Sequence, residues 1–370
     1  MLKNIVFFAF LMQTSFILSS QTTKIKTLTS NQLTRSIRIH FPSSTSNTAG
    51  KPLVINMHGY SSDALQQEFY ARMNEVADRE GFLVVYPDGI NNAWNVGWPF
   101  GSPADDVKFM SDIIDYMVQT YQIDGSKVYA CGMSNGGFMS YYLACHLSEK
   151  IAAIASVTGS MVPRNFDVCK PEVYMPILEI HGTKDDVVPY QGLDPIAAPI
   201  EDVIQFWVEN NGCSVSPQVY EFPNTNITDN TTSTKYTYRN CNDNVEVQFI
   251  VVDNGGHTWP GSLIDIGTTS RDFSASEEIW KFFKSYSRKV TSTTIEDVRS
   301  NPKIHIDLNG YIHILNDKSD EVVIFDMAGK VTKHFYFNEG ESTISISDLP
   351  TGIYNLYFKH QGYNARIVKH

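Results

Sequence analysis

The 370-residue sequence has no basic run: 29 Lys plus Arg stand against 40 Asp plus Glu, a formal net charge of −11. Without such a run there is no electrostatic footprint for a phosphate backbone, and nucleic acid is not an expected partner. Charged residues make up only 19% of the chain, whereas 42% is apolar and 12% aromatic. That balance is too hydrophobic for a disordered chain, and collagen-like and coiled-coil biases are both missing. No apolar stretch beyond the N-terminus is long enough to cross a bilayer, so the mature protein is expected to have no membrane span. His, Cys and carboxylates do not cluster at metal-ligand spacing, and no glycine loop of the phosphate-cradling kind is present, so neither metal nor cofactor is expected. The length allows two or perhaps three domains with a full-sized core.

Cysteine is scarce and odd in number. Five in one chain allow at most two bridges and leave one thiol over. Cys131 lies inside the apolar strand pattern Val128-Tyr-Ala-Cys-Gly132 and is the candidate for the free, buried thiol. Cys213 and Cys241 flank a Thr/Asn-rich segment, and a bridge between them closes a loop of 241 − 213 = 28 positions, worth roughly 3 to 4 kcal/mol in the loop-entropy model. Cys145 and Cys169 are the remaining pair; spacing alone does not fix the connectivity.

The chain opens with a basic residue, Lys3, followed by an apolar run over 5–18 and small residues Ser19 and Ser20. This is the pattern of a secretory signal peptide over 1–20, too short in its apolar part to serve as a spanning helix. No cysteine stands near the cleavage point, which disfavours a lipid anchor.

From about 34 to 286, apolar β-type runs alternate with helical periodicity. Strands are expected over 53–57, 83–86, 128–131, 152–157, 177–180 and 247–252, and helices over 65–79, 106–121, 136–147, 200–210 and 276–286. Such alternation predicts an α/β fold with a doubly wound, mostly parallel sheet that binds its ligands at the carboxyl ends of the strands. After Tyr286 the texture changes to a polar linker over 287–301. About six or seven short alternating strands follow over 302–370, punctuated by Asp307-Leu-Asn-Gly310, Asp326-Met-Ala-Gly-Lys330, Asn338-Glu-Gly340 and Leu349-Pro-Thr-Gly352. A small, separately folded C-terminal β-sandwich is expected there. The first domain then runs over 21–286.

Gly132-Met-Ser134-Asn-Gly136 stands between a strand and a helix. The pentapeptide alone is weak, but at a strand-to-helix turn the flanking glycines let the backbone pass closely and hold the serine on a strained elbow. A serine hydroxyl is a poor nucleophile and needs a general base, which in turn needs an orienting acid. On such an elbow of a doubly wound sheet the order along the chain is serine, acid, histidine. The loop His181-Gly-Thr-Lys-Asp185-Asp186 after one strand offers Asp185, with Asp186 as the fallback. The Gly-rich loop Asp253-Asn-Gly-Gly-His257 after the next offers His257 as the base. Oxyanion donors are expected in the backbone N–H of Asn135 and, from the turn Met57-His58-Gly59-Tyr60, that of Tyr60. His58 and His181 read as shaping their turns.

Two aromatic segments, Trp94-Asn-Val-Gly97-Trp98-Pro-Phe100 and Thr258-Trp259-Pro260, are candidates for the substrate pocket through Trp94, Trp98 and Trp259, with loop packing as the other reading. The Asp105-Asp106 pair opens a helix, and capping accounts for it better than acid-base chemistry.

Together these residues resemble the secreted esterase family that includes polyhydroxybutyrate depolymerase-like proteins and feruloyl or acetyl xylan esterases, within the α/β-hydrolases. The resemblance covers about 35–286. It is carried by Met57-His-Gly59, Val85-Tyr-Pro-Asp-Gly89 with Trp94-Asn95, Asp105-Asp-Val107, Gly132-Met-Ser-Asn-Gly-Gly137, His181-Gly-Thr-Lys-Asp185 with Val188-Pro-Tyr190, and Gly256-His-Thr-Trp-Pro-Gly261. It implies Ser134 as nucleophile with Asp185 and His257 as partners, and a Cys213 to Cys241 bridge beside the histidine loop. It also implies a carboxylic ester as substrate, polysaccharide- or polyester-linked: feruloyl, acetyl or 3-hydroxybutyrate esters. The last 70 or so residues resemble the C-terminal sorting domain of the type IX secretion system, through Val322-Val-Ile-Phe-Asp326-Met-Ala-Gly-Lys330, Ile344-Ser-Ile-Ser-Asp-Leu349-Pro-Thr-Gly-Ile-Tyr354 and Ala365-Arg-Ile-Val-Lys369. This implies export to the cell surface or medium by that machinery; a carbohydrate-binding sandwich is the competing reading of the same residues. The rival function for the whole chain is a non-catalytic carbohydrate-binding or adhesion protein on the same scaffold. A serine peptidase is disfavoured because no propeller-like extra domain is present, and a lidded lipase because no long insertion separates the core strands.

Overall fold

The computed structural model describes residues 22–43, 47–288, 303–306, 311–316, 319–326, 329–360 and 363–369. The expected signal peptide over 1–20 and most of the expected linker lie outside them. The chain divides into two compact units, 1–289 and 290–370, each with its own core.

The first unit is built on ten strands: β1 (Thr22–Ser30), β2 (Leu33–Phe41), β3 (Leu53–Met57), β4 (Leu83–Pro87), β5 (Val128–Met133), β6 (Ala153–Val157), β7 (Ile177–Gly182), β8 (Gln218–Glu221), β9 (Thr232–Tyr238) and β10 (Val247–Asp253). They form one sheet in the order β1-β2-β4-β3-β5-β6-β7-β10-β9-β8. The six strands from β4 to β10 run parallel, and antiparallel pairs close both edges. This is the α/β-hydrolase arrangement of a doubly wound sheet.

Every residue of β3, β4, β5, β6 and β7 is buried, as expected where helices cover both faces. In β3, Leu53, Ile55 and Met57 pack with α3 (Asp106–Tyr121), α4 (Asn135–His146) and α5 (Ile200–Asn210). Val54 points the other way, to the core shared by α1 (Ala64–Ala71), α2 (Met73–Glu80) and α6 (Ala275–Phe283).

The single helix expected over 65–79 is two. Arg72 adopts φ 52°, its N–H still bonds Glu68 O, and the chain restarts as α2 with the Arg72 guanidinium clamped on Glu75. Polar periodicity continues through the break, which is why the pattern does not show it. Cys145–Cys169 and Cys213–Cys241 are bridged, and Cys131 is buried and free, with burial pushing its thiol pKa up.

The second unit contains β11 (Lys303–Ile306), β12 (Tyr311–Asn316), β13 (Asp320–Asp326), β14 (Val331–Phe337), β15 (Gly340–Ser345), β16 (Gly352–Phe358) and β17 (Tyr363–Lys369). They form two antiparallel sheets, β11-β12-β15 and β14-β13-β16-β17, around Ile312, Ile314, Val322, Ile324, Leu356 and Phe358.

Candidate active site

The carboxyl edge of the parallel strands is where three loops meet. Ser134 follows β5 and sits at φ 55°, ψ −121°, outside the usual basins for an L residue, a strain of about 1–3 kcal/mol that packing must hold. What holds it is close backbone contact. A Cβ on Gly132 would lie 2.6 Å from Met57 O and from Gly136 C, and one on Gly136 would lie 2.2 Å from Met57 O. No other residue type fits at either position. The Ser134 N–H bonds Val157 O at the end of β6, and Phe138 N–H bonds Ser134 O, so the elbow is tied to the neighbouring strand and to α4.

The same staircase of bonds continues outward. Thr158 N–H donates to Ile180 O and Thr183 N–H to Val252 O, linking the ends of β6, β7 and β10. Strands are about 4.8 Å apart, so a residue beyond β10 must fold back to come near a residue beyond β5. It does: Gly255 O accepts from Lys184 N–H, and a Cβ on Gly182 would be 2.2 Å from Gly255 O and 2.8 Å from Gly256 O. The histidine loop therefore crosses over the end of β7, toward the nucleophile's side.

On that loop the His257 Nδ1 lies 2.8 Å from Asp185 Oδ2. Asp185 is buried and its Oδ1 accepts from the N–H groups of Val187 and Val188, at 2.9 and 2.8 Å. Asp186 faces solvent. With Nδ1–H given to a carboxylate, the His257 Nε2 is left as the lone-pair nitrogen, the tautomer a general base requires.

Behind Asp185 lies a buried network that sequence reading did not find. His181 places Nδ1 3.0 Å from Glu179 Oε1 and Nε2 2.9 Å from Val188 O, and Tyr141 donates to Glu179 Oε2 at 2.8 Å. Burial works against a charge on His181, but the bond to Glu179 and the nearby Asp185 outweigh it, and the imidazole pKa lies above its ordinary value. Burial likewise pushes the Glu179 carboxyl up. Both shifts favour a proton held on this pair beneath the acid loop. Glu179 reads in the sequence as one polar residue in an apolar strand, and only the fold reveals its partners.

On the other flank, Gly59 brings the turn after β3 against the elbow, its Cβ position lying 3.4 Å from Ser134 Cβ. Neither the Tyr60 nor the Asn135 N–H is taken up by a backbone carbonyl among the described residues. Burial lowers the His58 pKa, and the neutral ring braces this turn: Nε2 accepts from Gly89 N–H at 3.0 Å and Nδ1 lies 2.7 Å from Gly59 O. The Asn135 side chain grips the Trp94 backbone through both its amide atoms, at 2.6 and 3.2 Å.

The aromatic expectations need correction. Trp94 and Trp259 are 0% and 1% exposed, their indole N–H groups donating to His58 O and Ser276 Oγ, so they pack in the cores on the two faces of the sheet and offer no face to a ligand. Trp98 is half-buried and stacks on Phe100 at 5.2 Å, and the half-exposed Phe100 meets the half-exposed Tyr60 edge-on at 6.0 Å. Capping accounts for Asp105, which accepts from Lys108 N–H, but not for Asp106, whose buried carboxylate holds Arg35 at 2.6 Å and Asn95 N–H at 2.7 Å. No group of three or more His, Cys, Asp or Glu suited to a metal occurs among the described residues.

Residues 36–169 match the family described as Esterase PHB depolymerase. Residues 106–259 also match the BAAT / acyl-CoA thioester hydrolase C-terminal family, and 300–369 match the secretion system C-terminal sorting domain. Feruloyl esterase B of Piromyces equi is 33% identical over 60% of this chain and 42% of its own length. A bifunctional acetylxylan esterase/xylanase of Neocallimastix patriciarum is 30% identical over 60% of this chain and 31% of its own. The chain thus spans less than half of either relative. An acetyl xylan esterase structure from Aspergillus awamori superposes with a TM-score of 0.48 at 15% identity, covering 70% of this chain and 99% of that one. The sorting tail makes this a secreted or cell-surface protein, and no helix among the described residues is long and apolar enough to cross a membrane.

Proposed function

We propose that this chain is a secreted serine esterase that hydrolyses carboxylic esters through an acyl-enzyme. The observation that carries the reading is the Asp185 to His257 hydrogen bond of 2.8 Å on a loop folded toward the strained Ser134 elbow. Ser134 attacks the ester carbonyl as His257 Nε2 takes its proton; the same imidazole then protonates the leaving alkoxide and activates water for deacylation. Asp185, held by its two backbone donors, orients and stabilises the imidazolium. The Tyr60 and Asn135 N–H groups receive the oxyanion, each worth about 3 to 4 kcal/mol of barrier.

The substrate class is a feruloyl or acetyl ester on plant polysaccharide, or a polyhydroxybutyrate-type polyester. The Tyr60, Phe100 and Trp98 wall beside the oxyanion turn favours an aromatic acyl group. Residues 1–20 serve as signal peptide, 21–286 as the esterase domain, 287–301 as linker and 302–370 as the sorting domain read by the type IX secretion machinery.

Ser134→Ala tests the reading: hydrolysis of p-nitrophenyl acetate should fall by at least about 10⁴-fold while the thermal melt stays within about 2 °C. Undiminished hydrolysis in that variant refutes it. A panel of methyl ferulate, acetylated xylan and polyhydroxybutyrate then assigns the ester.

A further inference from the structure

Glu179 and His181 are buried ionisable groups to which acyl transfer itself gives no task. Alternation along β7 turns both to the same face as Ile177, the face packed by α4 and α5, and neither reaches solvent. The surroundings there are largely aromatic: Tyr190 meets the His181 ring edge-on at 6.2 Å, and Tyr141 stacks on Trp207. An apolar pair of the same volume would fill this space without the desolvation that a carboxylate and an imidazole incur. Packing therefore does not account for the pair.

Its bonds run in one direction, toward the acid loop. Tyr141 OH donates to Glu179 Oε2 at 2.8 Å, and Glu179 Oε1 lies 3.0 Å from His181 Nδ1. His181 Nε2 then lies 2.9 Å from Val188 O. A carbonyl oxygen offers only lone pairs, so Nε2 carries a hydrogen and donates it, whichever of Glu179 and Nδ1 holds the proton between them. Val188 is also the residue whose N–H closes the turn on Asp185 Oδ1, at 2.8 Å. The same Nε2 lies 3.5 Å from Asp185 Oδ2, the oxygen that faces His257 Nδ1 at 2.8 Å. Asp185 Oδ2 thus stands between two imidazoles, one from β7 and one from the histidine loop.

We propose that His181, held by Glu179, is a positioning residue for the esterase reaction: its Nε2–H fixes the Val188 carbonyl, and with it the angle at which Asp185 presents Oδ2 to His257. The inference rests on the Ser134, His257 and Asp185 reading of the site. The backbone bond that ties this turn back to β7, Asp185 N–H to Gly182 O, is longer, at 3.3 Å. A shift of about 1 Å in the orienting carboxylate is enough to cost on the order of 10²-fold in rate.

Two amides separate the two ring nitrogens. His181→Asn places a donor where Nδ1 stood and keeps Glu179 partnered, whereas His181→Gln reaches the place of Nε2 and can donate to Val188 O. On p-nitrophenyl acetate, His181→Asn should lower kcat about 10²-fold with KM within about twofold, and His181→Gln should stay within about fivefold of wild type. A role confined to packing, or to pairing Glu179, gives the reverse order. Added to Asp185→Asn, His181→Asn should cost nothing further, because both act through the same carboxylate. Active sites are counted by fluorophosphonate titration, so molecules that fail to fold drop out of kcat. Should His181→Asn give no folded protein, the wild type decides alone: nitrogen NMR shifts of its histidines should show His181 Nε2 protonated at neutral pH. An unprotonated Nε2 overturns the inference, as does an equal loss in the two variants, the reverse order, or a full further loss in the double variant. An inactive wild type overturns the esterase reading and this inference with it, whereas an active enzyme whose variants fall in the wrong order overturns this inference alone.

Discussion

Asp185 and Asp186 share a side chain and adjacent positions, yet the backbone gives them opposite surroundings. Two N–H groups and His257 converge on the first, and water receives the second. Asp185→Asn keeps the volume but loses the charge and favours the wrong imidazole tautomer. Its kcat on p-nitrophenyl acetate should fall about 10³- to 10⁴-fold, whereas Asp186→Asn should stay within twofold; equal effects would contradict the assignment. The choice was legible in sequence only as a preference, since both acids follow the same strand. Trp94 and Trp259 differ from the pocket expectation for a related reason: an aromatic residue in a loop looks the same in sequence whether it packs in a core or lines a site.

His58 adds a pH dependence at the same scale. Burial holds its pKa below the ordinary value, and its Nε2 must stay unprotonated to accept the Gly89 N–H. The folded state therefore binds this proton less readily than the unfolded chain. This contribution to stability is complete above the unfolded value of about 6.5 and is lost as pH falls through it toward the folded value. Thermal melts at pH 8 and pH 5.5 should differ by less in His58→Gln than in wild type. An unchanged difference would remove His58 from the account.

Elements differ in how plainly the sequence announces them. The buried parallel strands are continuous apolar runs and were legible, as was the elbow with its glycines. The edge strands were not: β8 is exposed at all four positions and β9 reads Thr-Ser-Thr-Lys-Tyr-Thr-Tyr, with little to separate it from a loop. Their pairing comes from the sheet, not from local pattern. The break between α1 and α2 was hidden for the converse reason, since a single residue at positive φ leaves the flanking periodicity intact. The elbow makes the sharpest prediction here. Gly136→Ala drives a methyl into Met57 O, and overpacking against backbone should cost at least about 2 to 3 kcal/mol, measured by denaturant unfolding. A loss below about 1 kcal/mol would show that β3 and α4 can part without penalty.

At the scale of the whole molecule, the two units share the chain without sharing core residues: one core lies on each face of the ten-stranded sheet and a third inside the C-terminal strands. A chain ending at Lys289 should therefore fold and keep esterase activity within about threefold of the full chain, while losing export from its native host. Collapse of soluble activity on truncation would mean that the second unit supplies part of the first one's stability. The change from α/β alternation to short strands made this division readable, because periodicity reports what each segment packs against. The Glu179, His181 and Tyr141 network was not readable, since its members come from β7 and α4 and meet only when the sheet forms.

The most direct measurement is fluorophosphonate labelling of the intact protein, with the adduct mapped by mass spectrometry and its rate compared with that of His257→Ala. The adduct should fall on Ser134, and the variant should label at least about 10³-fold more slowly. A probe attached elsewhere, or a His257→Ala protein labelled at the wild-type rate, would contradict the convergence of these side chains on one reacting oxygen.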